Sequence, residues 1–272
     1  MGGSGPAGAA GVVKPVGVVT RGTTAPNRLR RVDRWLTGTE FPLLRGAPEQ
    51  AVAVDLGYGA YPVTTVEFAR RLWAVRPGLR VIGLEIDPGR VRAALAHREP
   101  GLDFRLGGFE LPVGADPVVI RAFNVLRQYG EPEVGPVWER LTGRLAPGGL
   151  LIEGTCSENG RVAAWVALGR DGPRSLTFSA QLRTLESPLV FAERLPKALI
   201  HRNVPGEPVH AFLADWERAW QRAAPIGSFG VRQRWIAAAE AMAGRYPVRS
   251  RPERWRLGEL TVQWPAVAPN RP

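Results

Sequence analysis

A chain of 272 residues that is 44% hydrophobic has enough apolar material for one large buried core. Its uninterrupted apolar stretches run to only a few residues, far short of the roughly twenty needed to cross a bilayer, which excludes a membrane-spanning helix and leaves a soluble protein expected. A formal charge of +11 and a pI of about 11.1 point to a polyanionic partner such as RNA or DNA. The basicity also has a plainer source: Lys14 and Lys197 are the only lysines among the cations, and Arg with abundant Gly, Pro and Ala is what a GC-rich genome writes.

Residues 1–20 are Gly-, Ala- and Val-rich, and their only cation, Lys14, follows the small residues instead of preceding an apolar run, so they read as a flexible tail and not as a signal peptide. Cys156 is the only cysteine, which rules out an intrachain disulfide and a cysteine-rich zinc site and fits a reducing cytoplasm. Residues 21–48 form an Arg-rich segment in which Asn27 is expected to cap a short helix carrying Arg28, Arg31 and Trp35 on one face. That face is either a phosphate-contacting lid or a solvated surface with Trp35 tucked against the core.

From residue 49 to 183 strand and helix patterns alternate. AVAVDLG, RVIGLEI, LDFRL, PVVIRAF and GLLIEGT read as buried strands, separated by helical VEFARRLWAV, PGRVRAALAHR and VWERLTGRL. Thr64 and Glu67 have capping-box spacing, and Asp87 followed by Pro88 marks another helix start. RVAAWVAL and SLTFSAQL then suggest an antiparallel addition at a sheet edge. Residues 184–272 give a C-terminal helical module: a helix over VFAERLPKALIHR kinked at its Pro, two further helices, and a final strand-like ELTVQW. Trp216, Trp220 and Trp235 fall on helical patterns, where core packing is the default. The fold class is α/β, a doubly wound, mostly parallel, Rossmann-like sheet with antiparallel edge strands.

The segments VDLGYGAY (54–61), VIGLEIDP (81–88), LGGFELP (106–112) and RLAPGGLLIEG (144–154) together resemble the ordered motif series of class I S-adenosylmethionine-dependent methyltransferases. The resemblance covers roughly residues 50–156. It implies that Asp55, Gly57, Tyr58 and Gly59 lie beside the methionine moiety of S-adenosyl-L-methionine, that Glu85 binds the ribose hydroxyls with Ile86 against the adenine, and that Gly108 and Phe109 border the adenine ring. It also places Asn124, at the end of the fourth strand, towards the sulfonium and the substrate. The sequence departs from the family at the third glycine of the turn, where Tyr61 stands, followed by Pro62; the Tyr either roofs the cofactor or reshapes the pocket. A nicotinamide dehydrogenase fits worse, because its last fingerprint glycine would fall on Pro62. An aminopropyl transferase lacks a second acidic cluster here.

The acceptor is unassigned. Asn124 and Tyr129 are the candidate acceptor contacts, among Arg127, Gln128, Glu153, Cys156 and Glu158 at the ends of the fourth and fifth strands. The Asn/Asp-Pro-Pro-aromatic motif of base-amine methyltransferases is absent. GTCSEN resembles the nucleophile segment of RNA 5-methylcytosine methyltransferases, yet those carry a second cysteine, and burial is the commoner fate of a lone Cys. Lys197, His201 and His210 lack the further ligands a metal site needs, and no metal is expected. RNA or another polyanion is mildly favoured as acceptor over a small metabolite. The competing reading is a non-catalytic nucleic-acid binder that keeps the fold.

Overall fold

The computed structural model describes residues 14–270. Eight strands form one sheet in the order β3-β2-β1-β4-β5-β6-β7-β8. These are β1 (Val52–Leu56), β2 (Arg80–Glu85), β3 (Leu102–Leu106), β4 (Val119–Phe123), β5 (Leu150–Cys156), β6 (Val162–Gly169), β7 (Gly172–Ala180) and β8 (Glu259–Gln263). The first five are parallel and the last three antiparallel. The order reverses between β1 and β4, and the crevice outside the strand ends at such a reversal is where doubly wound sheets take ligands.

Both faces of the sheet are covered, which is why its strands read as continuous apolar runs. Along β1, Val52 and Val54 face one core while Ala53 faces the other. On one face lie α1 (Arg30–Thr39), α2 (Phe41–Arg45), α3 (Val63–Trp73) and α4 (Pro88–Ala94). On the other lie α5 (Glu131–Gly143), α6 (Lys197–Ile200), α7 (Pro208–Arg222) and α8 (Val231–Ala243), with α9 (Pro252–Trp255) leading into β8. Residues 184–270 therefore share a sheet and a core with the rest. Phe191 stacks on Trp216 at 5.4 Å and Phe178 on Phe212 at 5.6 Å, and Trp216, Trp220 and Trp235 are buried, as core packing requires.

Several local expectations are corrected. Asn27 does not cap α1; it sits in the preceding turn at φ +60°, its N–H donating to the Glu67 carboxylate and its side-chain oxygen accepting from Arg71. With Glu67 drawn away, α3 begins at Val63, and Thr64 lies inside it without capping. Asp87 does cap α4, its Oδ1 accepting from the Arg90 N–H at 3.0 Å. The single helix expected over 190–202 is instead a 3-10 segment (Pro188–Arg194) and α6, broken at Pro196, whose ring cannot continue the first helix. Trp35 is buried against Trp165, ring centroids 5.6 Å apart, so α1 is anchored to the core.

Of the expected tail, residues 1–13 lie outside the described residues. Residues 14–20 run extended over the carboxyl edge of the sheet and are held there by backbone bonds. Val16 donates its N–H to Glu110 Oε2 and accepts from the Phe109 N–H at 2.9 Å, and Val18 donates to the Tyr129 hydroxyl and accepts from Gln128 Nε2. Arg90 of α4 clasps Thr20 through its carbonyl at 2.9 Å.

Candidate functional site

The turn after β1 is built on Gly57 at φ +73° and Gly59 at φ +86°, a left-handed conformation that side chains resist. It brings the Gly59 N–H onto Glu85 Oε2 at 2.9 Å. Glu85 ends β2 and is buried, its Oε1 accepting from the N–H groups of Ile86 and Asp87 and its Oε2 lying 3.7 Å from Arg90. Gly57, Glu85, Ile86, Gly108 and Phe109 thus surround one narrow cleft, and the strap of residues 16–20 fills it down to about 20 Å³. A Cβ at Gly108 would stand 2.1 Å from the Val16 carbonyl oxygen, so this glycine is required by the close approach.

A second cavity of about 430 Å³ adjoins the cleft, walled by the strap, the β1 turn and the ends of β4 and β5. Asp55, Gly57, Tyr58, Gly59 and Asn124 line it together with Arg127, Gln128 and Cys156. Asn124 is held at φ +59°, a conformation Asn tolerates better than most residues. Its Oδ1 accepts from the Cys156 N–H and its Nδ2 lies 3.3 Å from the Cys156 sulfur, locking the two strand ends together. Cys156 is buried.

Asp55 is committed elsewhere. Both its oxygens accept from Arg121 of β4, at 2.9 and 2.7 Å, and one also from the Thr65 hydroxyl. Arg121 is fully buried and reaches as well to Asp33 of α1 at 2.5 Å and the Thr64 carbonyl, while its guanidinium lies 4.1 Å over the Phe68 ring. Burial alone would push Arg121 down, but the two carboxylates outweigh it and hold the guanidinium above its ordinary value. Burial likewise raises Asp33 against the pull of Arg121 and Arg71, whose guanidinium nitrogens lie 2.5 and 2.7 Å from its carboxylate. An Arg inside an apolar strand pattern was the one visible sign of this cluster.

Other expected residues fall differently. Tyr129 lies on the narrow cleft, its ring 5.4 Å from Phe109, and Asn124 alone of the two candidate acceptor contacts lines the larger cavity. Tyr58 is buried against Phe104, and burial first, then Glu85 and Asp55, push its phenol well up. Tyr61 roofs neither space: it is 69% exposed, in a surface dent beside Pro26 and His97. Glu153 faces the opposite core. Lys197 and His201 pair with each other on the surface at 2.9 Å, and among the described residues no group of three His, Cys, Asp or Glu converges to hold a metal.

The chain matches no family model and no curated protein sequence. Among solved structures, human N-acetylserotonin methyltransferase in complex with SAM is 21% identical over 49% of this chain and 39% of its own, with a TM-score of 0.32. The magnesium protoporphyrin IX methyltransferase of Synechocystis PCC 6803 with bound SAH is 18% identical over 47% of this chain and 54% of its own, with a TM-score of 0.36. A pericyclic reaction enzyme matches at 17% identity over 47% of this chain and 30% of its own, with a TM-score of 0.34. The chain therefore spans about half or less of these neighbours' lengths. No helix among the described residues is long and apolar enough to cross a membrane. The parallel order β3-β2-β1-β4-β5, the glycine turn after β1 and the buried carboxylate that ends β2 give the chain a doubly wound, Rossmann-like α/β fold.

Proposed function

We propose that the protein transfers a methyl group from S-adenosyl-L-methionine, with the nucleoside half in the narrow cleft and the methionine half, with the acceptor, in the adjoining cavity. The observation that carries this is the convergence of the Gly57–Gly59 turn, the Glu85 carboxylate and the Phe109 N–H on one crevice at the sheet reversal. The strap supports the fit: the Val16 carbonyl takes from the Phe109 N–H the hydrogen bond that an adenine ring nitrogen can accept. When bound, the cofactor supplies an electrophilic methyl on its sulfonium. Glu85 has acceptor capacity for the ribose hydroxyls once the strap lifts, Gly57 and Gly59 keep side chains out of the path, and Asn124 orients what enters the cavity by the positioning that methyl transfer chiefly needs. The acceptor is RNA or a small molecule.

Calorimetric titration with S-adenosylhomocysteine tests the reading. Micromolar binding is expected, weakened by at least about tenfold in Glu85→Ala, the scale of one or two charge-assisted hydrogen bonds. No binding by the intact protein sinks the assignment. The closed strap would then favour the second reading, a nucleic-acid binder retaining the fold, recognisable by a steep loss of RNA binding with added salt.

Strap and nucleoside compete for the same donors, so loosening the strap should tighten cofactor binding. Tyr129→Phe removes the acceptor of the Val18 N–H and is expected to strengthen S-adenosylhomocysteine binding by roughly threefold to tenfold, from about 1 kcal/mol of lost strap contact. Weaker binding would instead mean that the hydroxyl itself touches the cofactor.

A further inference from the structure

The larger cavity has an unbalanced charge. Arg21, Arg28, Arg127 and Arg194 all contribute to its wall. Of the two carboxylates there, Asp55 is consumed by Arg121 and Thr65, and Glu158 is exposed at the surface. Among the described residues, Arg21, Arg28 and Arg127 have no carboxylate within 4.0 Å, and Arg194 has only Glu193 at 3.9 Å, itself 80% exposed.

Two of these cations are placed together from separate elements. Arg127 follows β4 and donates through Nη1 to the Glu193 carbonyl at 3.0 Å, which fixes it beside the 3-10 segment that carries Arg194. Burial lowers the Arg127 guanidinium, and the neighbouring charge of Arg194 lowers it further. Arg28 is different: it is nearly buried, with its Nε on the Ser157 carbonyl and an Nη1 on the Thr23 carbonyl, so it ties the segment after the strap to the end of β5. Two like charges facing one concave space repel unless an anion joins them, and planar guanidinium groups match carboxylate and phosphate oxygens in pairs.

We propose that the substrate sharing this cavity is a small molecule carrying a carboxylate or phosphate, which Arg127 and Arg194 hold between them. The inference deepens the methyl-transfer reading and rests on it for the word substrate. The space favours a small molecule over a polynucleotide because its volume of about 430 Å³, bounded by Thr20–Thr24, the β1 turn and the ends of β4 and β5, matches a small ligand. Arg21, beside Gly22 whose carbonyl accepts from the Ala60 N–H of the glycine turn, remains for the cofactor's own carboxylate, so the two anions have separate cations.

The test uses the full chain with inorganic phosphate and with benzoate as probes, titrated at constant ionic strength against chloride and followed by thermal melting. A saturable rise in melting temperature is expected with at least one probe, and which one responds separates phosphate from carboxylate. Arg127→Gln and Arg194→Gln should each weaken the response by about fivefold or more, while Arg256→Gln, at an exposed arginine that does not line the cavity, leaves it unchanged. S-adenosylhomocysteine affinity should stay within about twofold of the unsubstituted chain in all three. Equal responses in every variant, or equal loss of S-adenosylhomocysteine binding, overturn the proposal. So does salt-steep binding of mixed single-stranded RNA that both variants lose, with neither small anion saturating. A phosphate or benzoate site lost in the variants, in a chain that never binds S-adenosylhomocysteine, would uphold the anion site and remove the methyl-transfer reading.

Discussion

Replacing Arg121 by Met should destabilise the protein by roughly 3–5 kcal/mol, which in a domain of this size lowers the melting midpoint by about 10 °C. The cost does not come from losing one attraction. Arg121 lies between Asp33 of α1 and Asp55 of β1, all three buried, so its removal strands two carboxylates with too few donors. Arg121→Lys keeps the charge but cannot reach both acids and the Thr64 carbonyl through one planar fork, and should fall between the two. Urea unfolding measures both. A loss below about 1 kcal/mol for the Met variant would show that the cluster is not the brace between the N-terminal helix and the sheet.

Glu153→Gln should stabilise the protein, and increasingly so as pH rises. Glu153 is buried on β5, one of its carboxylate oxygens has no hydrogen-bond partner, and burial pushes its pKa up to about 8. The unfolded chain releases this proton near the ordinary Glu value, whereas the folded protein keeps it until about pH 8. Over that window the unfolded state binds fewer protons, so stability falls as pH rises, by roughly 5 kcal/mol in total at 1.36 kcal/mol per pKa unit. Gln has the same shape and never ionises. Urea denaturation at pH 5 and pH 8.5 should therefore show variant and parent close together at the lower pH and well apart at the higher one. An equal gap at both would mean that Glu153 ionises in the folded protein near its ordinary pH, with no raised pKa.

The parts of the fold that were legible are those written in side-chain periodicity. Val52, Val54 and Leu56 alternate with Ala53 and Asp55, and their strand was readable because both faces are covered. Asp87 and Pro88 marked a helix start that depends only on neighbouring residues. What escaped depends on partners distant in the chain. Thr64 and Glu67 had the spacing of a cap, but Glu67 is claimed by Asn27, forty residues earlier. Arg121 and Asp33 are separated by 88 positions, so a lone Arg in an apolar strand gave no clue to its partner. The convergence of Gly57, Glu85, Ile86, Gly108 and Phe109 on one cleft was legible from motif order, whereas the segment filling it was not. Residues 16–20 dock largely through main-chain groups, which every sequence shares and no composition reveals.

On the methyl-transfer reading, the docked strap is a competitive ligand for its own cleft, present at one copy per cleft however far the sample is diluted. Its local concentration is fixed by a covalent tether, so neither dialysis nor excess protein alters it. Any nucleoside affinity measured on the intact chain is then the affinity of the open cleft multiplied by the fraction of time it stands open. If that fraction is about one in a hundred, a site with intrinsic nanomolar contacts reports about a hundredfold weaker binding. A partner that draws residues 16–20 away would raise the apparent affinity without touching any residue of the cleft.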